Sequence, residues 1–102
     1  MAEFIGQKMI TERVQYEIGQ LVQMYLWECI DRLKEQMTMD YLQIFDLKIL
    51  PSGIQVVTHS MEQPFYRQAH YLVDMPIQSL IQKKIFVIDE EQYVTMMLAE
   101  EY

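Results

Sequence analysis

The chain has a single cysteine, Cys29, so no disulfide can form within it. A lone thiol in a small domain suits a reducing compartment. Glycine and proline are scarce at three each, which excludes collagen-like, linker-like and low-complexity architectures and leaves both as local punctuation. The isolated glycines also exclude a glycine-rich phosphate loop. No apolar run approaches the ~20 residues of a membrane-spanning helix, and the opening MAEFIGQKMI lacks the basic head and long apolar core of a signal peptide. The expectation is a cytoplasmic protein that neither crosses nor binds a membrane. Positive charge is short as well, with eight Lys and Arg against fifteen Asp and Glu, for a net charge of −7. Nucleic-acid binding rests on cations that displace phosphate counterions, so direct contact with DNA or RNA is not expected.

What is present is apolar and adaptable. Half of the 102 residues are hydrophobic, enough for one domain, 1–102, with a core of its own. Nine methionines and seven tyrosines suit irregular cores and protein-binding surfaces alike.

Val14, Ile18, Leu21, Val22, Tyr25, Cys29 and Leu33 recur at three- and four-residue spacing, which predicts a helix over 14–37, secure from Gly19 onward. At 100° per residue Tyr25 and Cys29 mark the centre of its apolar stripe. Trp27 then falls nearly opposite, beside Asp31. Either another part of the chain folds over that tryptophan, or it anchors a partner. Before the helix, QKMIT reads as a short strand or an irregular lead-in.

DYLQIFDLKILPSGIQVVTHS reads as a hairpin, with Tyr41, Phe45, Leu47 and Ile49 alternating onto one face. Pro51 and Gly53 suit a three-residue loop that sets Leu50 opposite Ile54, Leu47 opposite Val57 and Phe45 opposite His59. PFYRQAHYLVDMP has helical spacing at Phe65, Ala69, Leu72 and Val73, with Pro64 fit for a first turn; alternation at Tyr71 and Val73 also permits a strand, and a short helix is the favoured reading. The closing KKIFVIDEEQYVTMML reads as a second hairpin with a four-residue turn, Asp89–Gln92, pairing Ile88 with Tyr93, Val87 with Val94 and Phe86 with Thr95. Its aliphatic face is Ile85, Val87, Val94, Met96 and Leu98. The other face, Phe86, Ile88, Tyr93, Thr95 and Met97, is mixed and needs cover that a single long helix cannot supply. The expected fold is α+β: one long helix packed on an antiparallel sheet of four to five strands built from two hairpins.

Chemistry is harder to find. Cys29, His59 and His70 share no metal-ligand spacing, and no metal or other cofactor is called. His59 and Ser60 are adjacent in a strand and so point to opposite faces, which separates a base from a nucleophile. No catalytic residue is assigned.

LWECIDRLKEQ, DYLQIFDL, HSMEQPFY, KIFVID and TMMLAEEY, in this order, resemble a family of small proteins of unknown function from staphylococci, streptococci and related Gram-positive bacteria. The resemblance runs from about Thr11 to Tyr102. It implies a bacterial cytosolic protein and supplies no activity, and the segment 74–82 is longer than the family pattern leads one to expect. Trp27, Asp31, His59, Glu62, Pro64, Tyr66 and Tyr102 match that pattern. Three functions follow from the residues. The first is a non-enzymatic interaction or regulatory module that binds another protein or itself, as a homodimer, with Trp27, Asp31, His59, Glu62, Tyr66, Phe86, Tyr93 and Met97 as candidate contacts. The second is a small hydrolase or ligand-binding enzyme that uses His59, Glu62 and Tyr66. The third is an acidic mimic that binds a basic protein surface.

Overall fold

A computed structural model describes residues 2–102. Six strands form one sheet: β1 (Gln7–Ile10), β2 (Leu42–Ile49), β3 (Gln55–Met61), β4 (Tyr66–Leu72), β5 (Lys84–Asp89) and β6 (Tyr93–Leu98), in the order β1-β6-β5-β2-β3-β4. The expected α+β architecture is present, but with six strands rather than four to five. The sheet is mixed rather than antiparallel, because β1 runs parallel to β6 while every other neighbour is antiparallel. QKMIT therefore supplies an edge strand.

The long helix of the sequence reading is two helices, α1 (Glu12–Glu17) and α2 (Gln20–Leu33). Thr11 caps α1, its hydroxyl accepting from the Val14 amide at 3.2 Å. Ile18 and Gly19 adopt extended backbone, so the chain turns there and α2 restarts with Gly19 as its cap. The apolar stripe of α2 is Val22, Leu26, Cys29, Ile30 and Leu33. Its centre lies further toward Leu26 and Ile30 than toward Tyr25, and Leu21 is 54 % exposed. Periodicity alone misplaced the stripe because Leu21 and Met24 carry apolar side chains on the solvent side.

The first hairpin forms in the expected register, with Leu47 opposite Val57, Phe45 opposite His59, and the Leu50 amide bonded to the Ile54 carbonyl at 2.9 Å. Gly53 has φ +86°, the left-handed conformation its place in the loop requires. Tyr41 lies just before β2 rather than within it. The favoured short helix at 64–73 is instead β4, antiparallel to β3 from Gln55–Leu72 to Met61–Tyr66. Without it the apolar β3, buried at Val56, Val57 and His59, would be an unprotected edge; tertiary pairing outweighs the helical spacing. Pro64 is not in a first helical turn but follows a cis peptide in the Glu62–Phe65 turn between β3 and β4.

The last hairpin also forms, two residues out of the expected register. Val87 faces Met96, Phe86 faces Met97 and Ile88 faces Thr95. A two-residue slip leaves every side chain on its own face, so the aliphatic set Ile85, Val87, Val94, Met96 and Leu98 is buried as expected. The connection is tighter than a four-residue turn: Glu91 has φ +72°, and the Gln92 amide bonds the Glu90 carbonyl in a γ-turn. Neighbours hold the glutamate in this conformation. Asp89 Oδ1 accepts from the Glu91 amide, and the Gln92 carbonyl accepts from Gln7 of β1. Gly6 passes so close that a Cβ there would sit 2.5 Å from the Glu91 carbonyl oxygen.

Both helices cover the same face of the sheet. Val14, Ile18, Val22, Leu26, Cys29, Ile30 and Leu33 form one cluster with Phe45, Leu47, Val57, Ile85, Val87, Val94, Met96 and Leu98. The segment between β4 and β5 is fastened to this core by buried Gln55, whose amide exchanges two 2.9 Å bonds with the backbone of Ile81 and donates a third to Lys48.

Two outcomes follow. Leu98 is fully buried and β6 lies between β1 and β5, so deletion of residues 98–102 should abolish cooperative unfolding; a truncated chain with a sharp thermal transition would show that the terminus is dispensable. Gly6→Ala should lower stability by about 1–3 kcal/mol, since backbone rather than a yielding side chain blocks the methyl group. An unchanged denaturant midpoint would contradict the close approach.

Candidate functional site

Seven of the eight candidate contacts fall in three places. Trp27 and Asp31 lie on α2, where β1 reaches them: the Lys8 ammonium stands 5.5 Å from the Trp27 ring centroid and 2.8 Å from an Asp31 carboxylate oxygen. Trp27 is half-buried against the core, so the chain itself folds over it. Phe86, Tyr93 and Met97 lie on the sheet face opposite the helices. His59 and Tyr66 lie under α2, among the core side chains. Glu62 joins none of these; it is exposed in the β3–β4 turn.

The helix-free face is the first candidate. Register places Leu42 and Ile44 of β2 beside Ile88 and Phe86 of β5, with Thr95 and Met97 of β6 and Met9 of β1 continuing across. An antiparallel sheet with one solvated face normally alternates apolar-in with polar-out; here the outward row is largely apolar. Tyr102 turns its ring edge-on to Phe86 at 5.5 Å, yet is itself 67 % exposed. Met9 at 41 % and Tyr93 at 45 % continue the surface toward the β1 edge. The sequence reading identified Phe86, Tyr93 and Met97; it missed Met9 and Ile44 because their strand neighbours are long-range.

The second candidate is a cavity of about 190 Å³ between α2 and strands β3 and β4, lined by Cys29, Arg32, Leu33, Gln36, His59, Tyr66 and His70. His59 is 1 % exposed, stacked on Phe45 at 4.3 Å and met edge-on by Tyr66 at 5.3 Å. Its Nε2 lies 2.7 Å from the Gln43 side-chain oxygen. Gln43 Nε2 is turned to the Asp40 carbonyl, so its oxygen is the acceptor and His59 donates from Nε2. Nδ1 is thereby left as an acceptor. Burial pushes the His59 pKa down to about 4, with His70 a lesser cause, and the ring is neutral at physiological pH. Burial also lowers the pKa of His70, with the Arg32 charge second. The Tyr25 hydroxyl caps His70 Nδ1 at 2.8 Å, while His70 Nε2 is buried without a hydrogen-bond partner among the described residues. Cys29, one helical turn beyond Tyr25, has its thiol pushed up to about 11 by burial and is protonated.

This arrangement lacks a nucleophile–base pair. Ser60 points away from His59 onto the open face, Glu62 lies outside the cavity, and the Cys29 thiol is not ionised. Among the described residues no group of three His, Cys, Asp or Glu is placed to hold a metal ion, and no helix is long and apolar enough to cross a membrane. The clustered carboxylates at the start of β2 and the end of β5 serve the backbone: Asp40 accepts from Leu42 and Gln63, and Asp89 from Glu3, Phe4 and Glu91. The sequence brings His70 into view only as a metal ligand and gives no signal for Arg32, because β4 has helical spacing and no local spacing links either residue to His59.

Residues 7–101 match the model of a family described as "Staphylococcal protein of unknown function (DUF960)". No curated protein matches the chain. A crystal structure of a protein of unknown function from Enterococcus faecalis superposes with a TM-score of 0.82 at 22 % identity, over 95 % of this chain and 91 % of that one; this similarity shows a shared fold.

The depressed His59 pKa carries a sign. The unfolded chain binds the proton near pH 6.5, the folded chain only near 4, so stability from this group is complete above 6.5 and lost as pH falls toward 4. The loss is on the order of 3 kcal/mol. In an NMR titration the His59 ring should remain neutral down to pH 5, and the urea midpoint should fall between pH 6.5 and 4.5. A ring that titrates near 6.5 would overturn the assignment.

Proposed function

This chain belongs to that staphylococcal family of unknown function, and we propose that it is a non-enzymatic interaction module that pairs with a second copy of itself across the open face of its sheet. One observation carries this reading: the outward row Met9, Leu42, Ile44, Phe86, Ile88 and Met97 is apolar where a solvated sheet would be polar. Six strands about 4.8 Å apart, each roughly six residues long, make a face of roughly 500 Å². Two such faces reach the ~1,000 Å² at which specific interfaces begin.

Charge favours a second copy as the occupant. The chain carries −7, yet its open face carries Lys48, Arg67 and Lys84 against only Asp46 and Glu90. Two copies meeting there keep their acidic surfaces apart. Lys48 and Lys84 lie at the opposite end of the strands from Glu90, so a two-fold axis across the strands sets the basic end of one copy over the acidic end of the other. Its single thiol supports a cytoplasmic setting for the module.

Light scattering at tens of micromolar should give twice the 12.3 kDa chain mass, and Met97→Lys should return a monomer that still unfolds cooperatively, at a lower temperature because the stabilisation from association is lost. Moderate salt should tighten the dimer by screening the repulsion between two acidic chains. A wild-type monomer at 100 µM in 0.15 M salt would sink the pairing.

A further inference from the structure

We infer that the cavity beneath α2 is a binding site for a small carboxylate. The chain has fifteen acidic residues, yet none of the seven that line this cavity is acidic, and the one charged lining group is the Arg32 guanidinium. Hydrogen-bond donors predominate around it. The phenol of Tyr25 is a stronger acid than a neutral imidazole N–H, so at His70 Nδ1 the tyrosine donates; the ring proton then sits on Nε2, the buried nitrogen with no acceptor. A buried donor left unmatched costs about 1–3 kcal/mol, a cost that an incoming oxygen removes. Burial raises the pKa of Tyr66, which keeps its hydroxyl protonated and able to donate. His59 Nδ1 is an acceptor at the cavity, as is the Gln36 amide oxygen, and either fits a hydroxyl or amine hydrogen of the ligand. Leu33 and the rings of Tyr66 and His59 supply an apolar surround, and about 190 Å³ is room for several water molecules or one compact organic acid.

Arg32 is not free to give its whole charge to the ligand. Glu28, one helical turn earlier, is hydrogen-bonded to it from the solvent side. A carboxylate must share or displace that partner, so simple acids should bind at millimolar strength, and the competition is itself a test. Arg32 and Glu28 are both exposed, so neither substitution endangers the fold.

The ring resonances of His59 and His70 should be followed by NMR in the folded, full-length chain during titration with sodium propionate, with propionamide and inorganic phosphate as comparison probes. Propionate should move both rings saturably. Arg32→Gln should weaken it at least fivefold, and Glu28→Gln should tighten it severalfold. Propionamide, which offers the oxygen without the charge, and phosphate, which lacks an apolar part, should both bind more weakly. No saturable shift up to 50 mM propionate, an equal response in Arg32→Gln, or equal binding of any comparison probe would overturn the assignment.

Discussion

Two helices of six and fourteen residues must cover a sheet of six strands. A helix with its side chains is about 10 Å across and strands lie about 4.8 Å apart, so this pair can dress one side of the sheet and no more. Much else follows from that shortage. The aliphatic residues of β5 and β6 that point toward α1 and α2 are fully buried; of those that point away, Ile88 is buried beside Leu42, while Phe86 meets the exposed ring of Tyr102. Even on the covered side the shelter runs thin at β3 and β4, furthest from α1. There the cavity opens between Cys29, His59, Tyr66 and His70.

Where helical cover thins, polar side chains take over the work of alignment. Gln43 and Gln55 are as buried as the leucines around them, and each satisfies backbone carbonyls. Gln43 also orients His59, and Gln55 holds the β4–β5 connection against the hairpin. Buried groups so completely matched leave few alternative arrangements, since any shift in register would strand a donor or acceptor in the core. His59 is thus first a structural residue, held by Gln43 on one side and Phe45 on the other. Its remaining nitrogen is what it can offer a ligand.

Strand pairing between sequence neighbours was legible, and longer-range pairing was not. LPSG, with its proline and glycine, specified the β2–β3 hairpin to the residue, and with it the contact of Phe45 with His59. The last hairpin was recognisable, but its turn depends on Asp89 and on the β1 backbone, 80 or more positions away in the chain, and no local pattern reports that. β4 is the exception among sequence neighbours: its own spacing is helical, and its strand state comes from pairing with β3. The cavity was half visible. His59 and Tyr66 share a short stretch, whereas Cys29 and Arg32 come from a helix and His70 from the misread strand.

The parallel pairing of β1 with β6 has a consequence for how the molecule is made. Gln7 through Ile10 are synthesised more than 80 residues ahead of their hydrogen-bonding partner, Tyr93 through Met96. At roughly 5–20 residues per second the first strand waits several seconds with no edge to join. The Thr11-capped helix, the long helix and the β2–β3–β4 meander are complete in sequence during that interval, while β2 has no partner on its β5 side. The β1 edge of the sheet can therefore form only after β6 has been made, so its pairing joins two segments synthesised seconds apart.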